Sequence, residues 1–143
     1  MGFRVNIYVE TSRKGPSRGP GAYYGVVEFI KKDGNPEYRE VRGYSESTYE
    51  NELALKGIVA ALKLLTKPCC IRVFTPCEHV LHTVHNAWNV QWEKNGWMKS
   101  NGKYPNNLEL WKELSKVSLK HAVSYTGENH LLREKMKEEL KSF

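Results

Sequence analysis

One acidic side chain stands where a rigid segment ends and a polar loop begins. Glu10 lies near the end of the stretch 4–12, in which every second residue over positions 5–9 is β-branched. That period of two predicts a β-strand with one buried face. The loop that follows, residues 13–21, holds three glycines, two prolines and three basic residues. A carboxylate at such a strand end is firmly held and open to solvent and ligands, so we expect a functional site to begin at Glu10.

A second candidate region interleaves basic with aromatic side chains. Its members are Trp88, Trp92, Lys94, Trp97, Lys99 and Lys103. Basic residues attract phosphates, and aromatic faces stack on bases or sugars, so the combination indicates nucleic acid more strongly than charge alone. Lys14 in the first loop and the formal net charge of +6 agree with a polyanionic partner. Many domains with other functions are equally basic, and the composition by itself leaves the partner open.

Three histidines are spaced for a metal site but lack a further ligand. His79, His82 and His85 recur at intervals of three, and neighbouring pairs could meet one ion on a helix. No carboxylate or thiol is predicted to be positioned beside them, so we interpret them as surface side chains. The three cysteines match neither zinc-knuckle nor disulfide spacing, which is typical of buried thiols in a reducing compartment.

The composition is that of one globular domain. The chain has 143 residues, of which 40% are hydrophobic and 27% are charged. A chain of this length and hydrophobic content can close a core without disulfides. We therefore treat residues 1–143 as a single domain. No apolar run approaches the roughly 18 residues of a membrane span, and Arg4 and Asn6 interrupt any secretory segment. A cytoplasmic location is expected.

Sequence periodicity orders the elements that must position these candidates. The predicted strands cover residues 4–12, 22–30, 37–44, 70–75 and 122–126. An Asp-Gly turn at residues 33–34 joins the second strand to the third, so the first three strands form an antiparallel meander. A helix precedes the fourth strand, which can therefore lie parallel to the first. The predicted helices begin near Ser47, Pro76, Trp88, Asn107 and Glu128.

The start of the first helix carries local signals. Ser47 and Glu50 are spaced as a capping box, and Glu52 lies in the first or second turn. Glutamates near helix N-termini commonly complement the helix dipole, so Glu52 on its own is interpreted as a solvated acid. Asn106 or Asn107 is the predicted cap of a later helix.

The resulting order, β-β-β-α-β-α-α-α-β-α, and several local strings resemble ribonuclease H of type 1. The resemblance covers nearly the whole chain. The similar strings are residues 7–12, residues 47–53 ending in Glu52-Leu53, residues 73–75, residues 91–97 with Lys103, and residues 107–111. The most specific match is the paired-Trp loop followed by Leu-x-Leu-Trp.

That resemblance implies an α/β fold with a five-stranded mixed sheet flanked by helices, in which parallel fourth and fifth strands join the antiparallel meander. It also implies hydrolysis of the RNA strand of RNA–DNA hybrids by two divalent ions, Mg²⁺ or Mn²⁺, held by four carboxylates. Glu10 and Glu52 stand in the places of two of these acids. The residues expected to contact the hybrid are Lys14, Trp92, Lys94, Trp97, Lys99 and Lys103.

The chain departs from that family at the other two acids. Pro76 stands where the third acid should be, and Glu78 lies two residues further on. The loop before the last helix is short, so spacing leaves several candidates for the fourth position. They are Glu128, His130, Arg133 and Glu134. We select His130, expected in the first turn of the last helix, because imidazole can bind manganese. The predicted catalytic set is Glu10, Glu52, Glu78 and His130, and its three glutamates are the predicted metal ligands.

Three hypotheses follow. The first is a divergent metal-dependent nuclease that acts on the RNA strand of RNA–DNA hybrids. The second is a nucleic-acid-binding module on the same fold, with impaired catalysis. The third is a protein-interaction domain in which the tryptophans dock a partner chain. The chain is expected to be a monomer.

Overall fold

Five β-strands form one mixed sheet in the computed structural model, which describes residues 3–143. They are β1 Phe3–Thr11, β2 Gly19–Ile30, β3 Pro36–Thr48, β4 Cys69–Phe74 and β5 Ala122–Thr126. The strand order is β3-β2-β1-β4-β5, with antiparallel pairing from β1 to β3 and parallel pairing of β4 with β1 and β5. The predicted fold class is confirmed. Met1 and Gly2, which open the predicted domain, lie outside the described residues.

Within this described part of the chain, five helices complete the predicted order. They are α1 Glu50–Lys63, α2 Glu78–His85, α3 Trp88–Lys94, α4 Leu108–Ser118 and α5 Arg133–Leu140. Helices α1 and α5 both pack on the central strands β1 and β2, and α2 packs against β5. None of the helices between residues 3 and 143 has the length and apolar character needed to cross a membrane.

Strand β1 separates two cores because its side chains alternate between the faces of the sheet. Ile7 and Val9 belong to the larger core, with α1 and α4. Tyr8 belongs to the smaller core, with Met136 of α5. Glu10 follows Tyr8 at the strand period of two, so its side chain lies on the α5 side of the sheet.

Helix α1 begins at Glu50 without the capping box predicted at Ser47. Its N-cap is Tyr49, and no side chain caps the helix. Strand β3 continues to Thr48, so Ser47 has extended backbone. The Glu50 carboxylate accepts a hydrogen bond from the backbone N–H of Gly15 at 2.9 Å. The capping prediction is wrong because a tertiary contact with the first loop occupies the carboxylate that the box requires.

Helix α5 starts at Arg133, later than the predicted start near Glu128. Two side-chain acceptors hold the preceding segment: Thr126 Oγ1 accepts the N–H of Glu128 at 3.1 Å, and Asn129 Oδ1 accepts the N–H of His130 at 2.9 Å. Such local bonds compete with the backbone bonds of a helix. His130 therefore lies before α5 and not in its first turn, which corrects its predicted placement.

Candidate active site and nucleic-acid groove

Glu10 is buried, and two nitrogen-bearing side chains face it. Its side chain is 1% exposed, and Nε2 of His130 lies 3.4 Å from its Oε2. Nε of Arg133 lies 3.6 Å from its Oε1. The expectation that this carboxylate is open to solvent is wrong, because α5 and the segment before it pack on the face of the sheet where Glu10 lies.

An aromatic surface holds His130 in this position. The side chain of His130 is 6% exposed. The centroid of its ring lies 4.4 Å from that of Tyr8 and 5.7 Å from that of Phe74. The structure therefore brings Glu10 and His130 together, two members of the predicted catalytic set. Their catalytic roles stay predictions.

Arg133 brings a permanent positive charge to the buried carboxylate. A guanidinium stays protonated at every accessible pH, whereas an imidazole is charged only when protonated. Among the residues that the structure describes, Glu10 Oε1, both ring nitrogens of His130 and Arg133 Nε have no hydrogen-bond partner. The contacts of 3.4 and 3.6 Å are longer than ordinary hydrogen bonds, so the Arg133 contact acts mainly through its charge. The guanidinium thus offsets the penalty for burying this acid.

The carboxylate of Glu52 interacts with polar side chains just before and within helix α1. It lies in the first turn of α1, and its Oε1 accepts a hydrogen bond from Thr48 Oγ1 at 2.7 Å. Lys56 Nζ lies 3.8 Å from the same oxygen, one helical turn further on. The side chain of Glu52 is 20% exposed. The polar partners of Glu52 therefore differ from those of Glu10.

The donor set does not fit a pair of divalent ions. Glu78 is exposed in the first turn of α2, and no three His, Cys, Asp or Glu side chains between residues 3 and 143 lie close enough together to hold a metal ion. A two-ion centre requires a shared set of carboxylate oxygens. Here Arg133 faces Glu10, and Pro76 offers no side-chain oxygen. The ligand roles assigned to the three glutamates stay predictions.

A groove of about 540 Å³ lies between α2, α3 and the segment before α4. Trp92 and Lys99, both predicted to contact the hybrid, line it together with His79, Trp88 and Asn106. Lysine can pair with a phosphate there, and indole faces can stack on a base or sugar. The groove therefore combines the two chemistries that a nucleic-acid strand requires.

The tryptophans of this region divide into exposed and packed side chains. Trp88 is 44% exposed. Trp92 packs edge-on against the buried Trp111, with 5.8 Å between ring centroids. Trp97 is partly buried against the larger core and has a left-handed backbone, with φ of 66°. Trp88 consequently offers the freest indole for stacking, while Trp92 and Trp97 also stabilise the segment.

The other three predicted lysines lie on the surface. Lys94 and Lys103 are exposed. Lys14 Nζ lies 3.9 Å from Glu50 Oε2 and donates a hydrogen bond to Thr11 Oγ1 at 3.4 Å. These contacts hold Lys14 against the start of α1, so its charge is partly compensated within the chain.

The sequence patterns did not predict a smaller surface depression of about 370 Å³. Its lining includes Arg18, whose guanidinium lies 4.8 Å from the centroid of the Tyr49 ring, and Asn107. Asn107 is the N-cap residue of α4, as predicted. Its side chain makes no cap bond to the helix, because its Nδ2 donates a hydrogen bond to the Tyr49 hydroxyl at 2.7 Å instead. No local pattern links these residues, because only the fold brings their three segments together.

The sequence profile of the RNase H family matches residues 3–126. The ribonuclease H of Thermoanaerobacter sp. is 31% identical over 121 residues, covering 85% of this chain and 74% of that protein. The ribonuclease H of Caldanaerobacter subterraneus subsp. tengcongensis is 32% identical over 123 residues, covering 85% and 75%. The chain belongs to the RNase H family.

Solved structures agree with this assignment at the level of the fold. LC9-RNase H1, described as a type 1 RNase H with the type 2 active-site motif, superposes with a TM-score of 0.77 at 21% identity, covering 99% of this chain and 70% of that one. LC11-RNase H1 in complex with an RNA/DNA hybrid superposes with a TM-score of 0.57 at 18% identity, covering 95% and 92%.

The family match ends before the segment that faces Glu10. His130 and Arg133 both follow the last matched residue, Thr126. Arg133 was among the positions that spacing left open for the fourth acid, and its pairing with Glu10 required the tertiary structure. The matched part of the chain therefore includes Glu10 and Glu52, while the segment that compensates Glu10 lies beyond it.

Proposed function

We propose that this chain binds RNA–DNA hybrids and does not hydrolyse them by a two-ion mechanism. The observation that carries the second half of the proposal is the guanidinium of Arg133, 3.6 Å from Glu10 Oε1. A fixed positive charge there repels a divalent cation and occupies the carboxylate that would bind it. Pro76 further removes a side-chain oxygen at the end of β4.

Membership of the RNase H family and the groove at α2 and α3 support the first half. One structural neighbour, LC11-RNase H1, was solved with an RNA/DNA hybrid. In this chain, the groove is lined by Trp88, Trp92 and Lys99. A hybrid differs from a DNA duplex in its 2′-hydroxyls and groove shape, which are the features that such a surface can recognise.

Bound Mg²⁺ or Mn²⁺ would supply an activated water and stabilise the leaving oxygen. The metal-dependent nuclease remains the alternative, with Glu10, Glu52 and Glu78 as ligands and His130 as the fourth site residue. The side chain of Glu52 is 20% exposed, so an ion could reach this carboxylate. One reachable carboxylate is weak support for a two-ion site. The proposal for this chain is hybrid binding alone.

Fluorescence anisotropy with a labelled hybrid tests the binding half. We expect affinity that falls as salt rises and that is the same in Mg²⁺ as in EDTA with ionic strength matched. Lys99→Ala should weaken binding by roughly threefold to tenfold and reduce the salt slope by about one. Lys135→Ala is the matched control, because Lys135 is an equally charged, exposed residue of α5 on the other face of the sheet; its affinity should equal that of the unmodified chain.

Incubation of the labelled hybrid with MnCl₂ tests the second half. We expect intact RNA after binding is saturated. Cleavage that Glu10→Gln removes would establish the nuclease and overturn this half of the proposal without touching the binding result. Absence of affinity for hybrid, duplex or single strands at low salt would overturn the binding half and favour the protein-interaction hypothesis.

A further inference from the structure

Strand β3 forms an open edge of the sheet. It covers Pro36–Thr48 and is the terminal strand of the order β3-β2-β1-β4-β5, so within residues 3–143 it pairs with β2 alone. Two large side chains on it are exposed, Tyr38 at 49% and Tyr44 at 60%. An open edge presents unpaired backbone groups that another strand can bond.

The turn before β3 determines which backbone groups point outwards. The N–H of Lys31 donates to the carbonyl of Asn35 at 3.1 Å, so these two residues are a hydrogen-bonded pair. Pairing then continues without a break from Ile30 opposite Pro36 to Gly21 opposite Ser45. Bonded and non-bonded pairs alternate along an antiparallel ladder. Odd-numbered residues of β3 up to Ser45 therefore bond β2, and even-numbered ones over the same range direct their N–H and C=O groups to solvent.

These outward-facing residues are symmetric about Val41. Tyr38 and Glu40 precede it, while Arg42 and Tyr44 follow it at the same spacings. All four side chains share one face of the sheet because they alternate with the odd-numbered residues. Rotating the strand by half a turn about Val41 therefore exchanges a tyrosine with a tyrosine and an acid with a base.

We infer that two copies of this chain pair antiparallel along β3, with a two-fold axis at Val41. In that register, Glu40 of one copy faces Arg42 of the second copy, and Tyr38 faces Tyr44 of the second copy. Each facing pair exchanges both of its outward backbone hydrogen bonds. The sheets of the two copies join into one continuous sheet, and the symmetry closes the assembly at two copies.

Neighbouring registers are disfavoured by charge. Moving the axis to Glu40 places the two copies of that carboxylate opposite each other, and moving it to Arg42 does the same with two guanidinium groups. An axis between two residues pairs outward-facing with inward-facing backbone groups. Directly opposed like charges destabilise a strand pair, so among these neighbouring registers the axis at Val41 is the one that satisfies both the backbone and the side chains.

The charged pair is already oriented along the edge. Tyr24 donates a hydrogen bond to Glu40 Oε2 at 2.7 Å, and Arg42 lies 3.3 Å from Glu40 Oε1. Arg42 also pairs with Glu139 of α5. The side chains of Glu40 and Arg42 are still 52% and 41% exposed, so a second copy can reach them.

Sedimentation velocity over a range of concentrations, with two charge-reversal variants, tests this interface. The unmodified chain should show a reversible monomer–dimer equilibrium. Glu40→Arg and Arg42→Glu each place two pairs of like charges across the axis. The dimer dissociation constant of each variant alone should therefore rise by roughly tenfold or more. An equimolar mixture of the two variants restores opposite charges at both positions and should form a heterodimer. The double variant Glu40→Arg with Arg42→Glu restores them within one chain and should dimerise.

The mixture and the double variant separate loss of the interface from loss of folding. Arg42→Glu also loses the pair with Glu139, and recovery of dimers on mixing would exclude misfolding as the cause of the monomer. A monomer at every concentration of the unmodified chain would overturn the inference. Dimers that persist equally in both single variants, or a mixture that stays monomeric, would also overturn it. The inference does not depend on hybrid binding, because the groove involves α2 and α3 and not β3.

Discussion

At the scale of single residues, the chemistry of this chain depends on what lies next to Glu10. A carboxylate that is 1% exposed requires a compensating charge. Divalent ions supply that charge in a two-ion nuclease, whereas Arg133 supplies it here from within the chain. His130 adds a second nitrogen, 3.4 Å from Glu10, that carries charge only when protonated. One arginine thus changes what the acid at the end of β1 can bind.

Replacing Arg133 should convert this pair into a site that responds to metal. Arg133→Asp removes the guanidinium and adds a second acid, so we expect the free energy of unfolding to fall by about 3 kcal/mol, the lower end for a broken buried pair because Arg133 is 28% exposed. Mn²⁺ should then raise the melting temperature of this variant by binding the two acids. Thermal unfolding followed by circular dichroism, with and without MnCl₂, measures both effects.

The matched control is Arg133→Gln, which removes the charge without adding an acid. It should lose less stability than Arg133→Asp, because it adds no like charge beside Glu10, and it should gain nothing from Mn²⁺. The unmodified chain should have the same melting temperature in MnCl₂ and in EDTA at matched ionic strength. If Mn²⁺ stabilised the unmodified chain and Glu10→Gln abolished that effect, the guanidinium would not be the cation that compensates Glu10.

At the scale of elements, helix α1 approaches the sheet closely at one glycine. A Cβ atom built on Gly57 would lie 2.8 Å from Val9 Cγ1 and 3.2 Å from Tyr23 Cδ1. Both neighbours belong to strands under the helix, and Val9 is fully buried. Gly57 therefore allows α1 to cover β1 and β2 at a distance that any larger residue would increase.

Gly57→Ala should destabilise the fold although alanine is the better helix former. The gain in helix propensity is about 1 kcal/mol, while overpacking a buried contact costs about 1–3 kcal/mol. We expect a net loss of about 1 kcal/mol in urea unfolding. In a Val9→Ala background, which removes the nearest methyl groups, the same substitution should cost less or stabilise the chain. Equal costs in both backgrounds would mean that the close approach of α1 to β1 is not the cause.

At the scale of the whole molecule, two histidines couple stability to pH. Burial, together with the charge of Lys120, lowers the pKa of His121 below its usual value. Its Nδ1 accepts the backbone N–H of Cys69 at 3.0 Å, and its Nε2 is buried without a partner among residues 3–143. Burial, with smaller contributions from His82 and Lys99, likewise lowers the pKa of His79.

Because the pKa values of these two histidines are lowered in the folded chain, the free energy of unfolding decreases as the pH falls. The unfolded chain takes up protons at histidine near pH 6.5, whereas folded His121 and His79 take them up only at lower pH. Their contribution to stability is therefore complete above about pH 6.5 and is lost as the pH falls towards the folded pKa values. Protonation of His121 at Nδ1 would remove the acceptor for the Cys69 N–H and would place two N–H donors against each other.

Urea unfolding at a series of pH values between about 7 and 5.5 measures this coupling, in a range above the ordinary titration of carboxylates. We expect the free energy of unfolding to decrease with falling pH in the unmodified chain. His121→Gln should make that decrease smaller, because glutamine does not titrate. A variant with the same pH slope as the unmodified chain would contradict the role of His121.

The two proposed surfaces lie at different parts of the molecule. The groove lies at α2 and α3, and α2 packs against β5, whereas the dimer edge is β3 at the other end of the sheet. Hybrid binding and self-association can therefore occur together. In a dimer, two grooves would lie on one continuous sheet, at its outer ends.

The sequence by itself determined the fold class, because the patterns that predict strands, turns and helices lie between residues close together in the chain. Alternation in residues 4–12, the Asp-Gly turn and the helical periodicities each depend on neighbours in the chain, and together they predicted the order of all ten elements. The short strings that resemble ribonuclease H predicted the same fold, and the profile match over residues 3–126 confirms the family. Glu10 could be selected because it lies at the end of a predicted strand, whereas Glu52 was selected only through the family resemblance.

Only the tertiary structure decided which side chain compensates Glu10. Spacing left four positions open, because β1 and the segment before α5 are distant in sequence and the local bonds of Thr126 and Asn129 delay the start of the helix. Packing of α5 on the face of β1 that carries Tyr8 then brings Arg133 to the carboxylate. The physical reason is that burial and charge pairing depend on distances across the fold, whereas periodicity reports only on the neighbours of a residue along the chain.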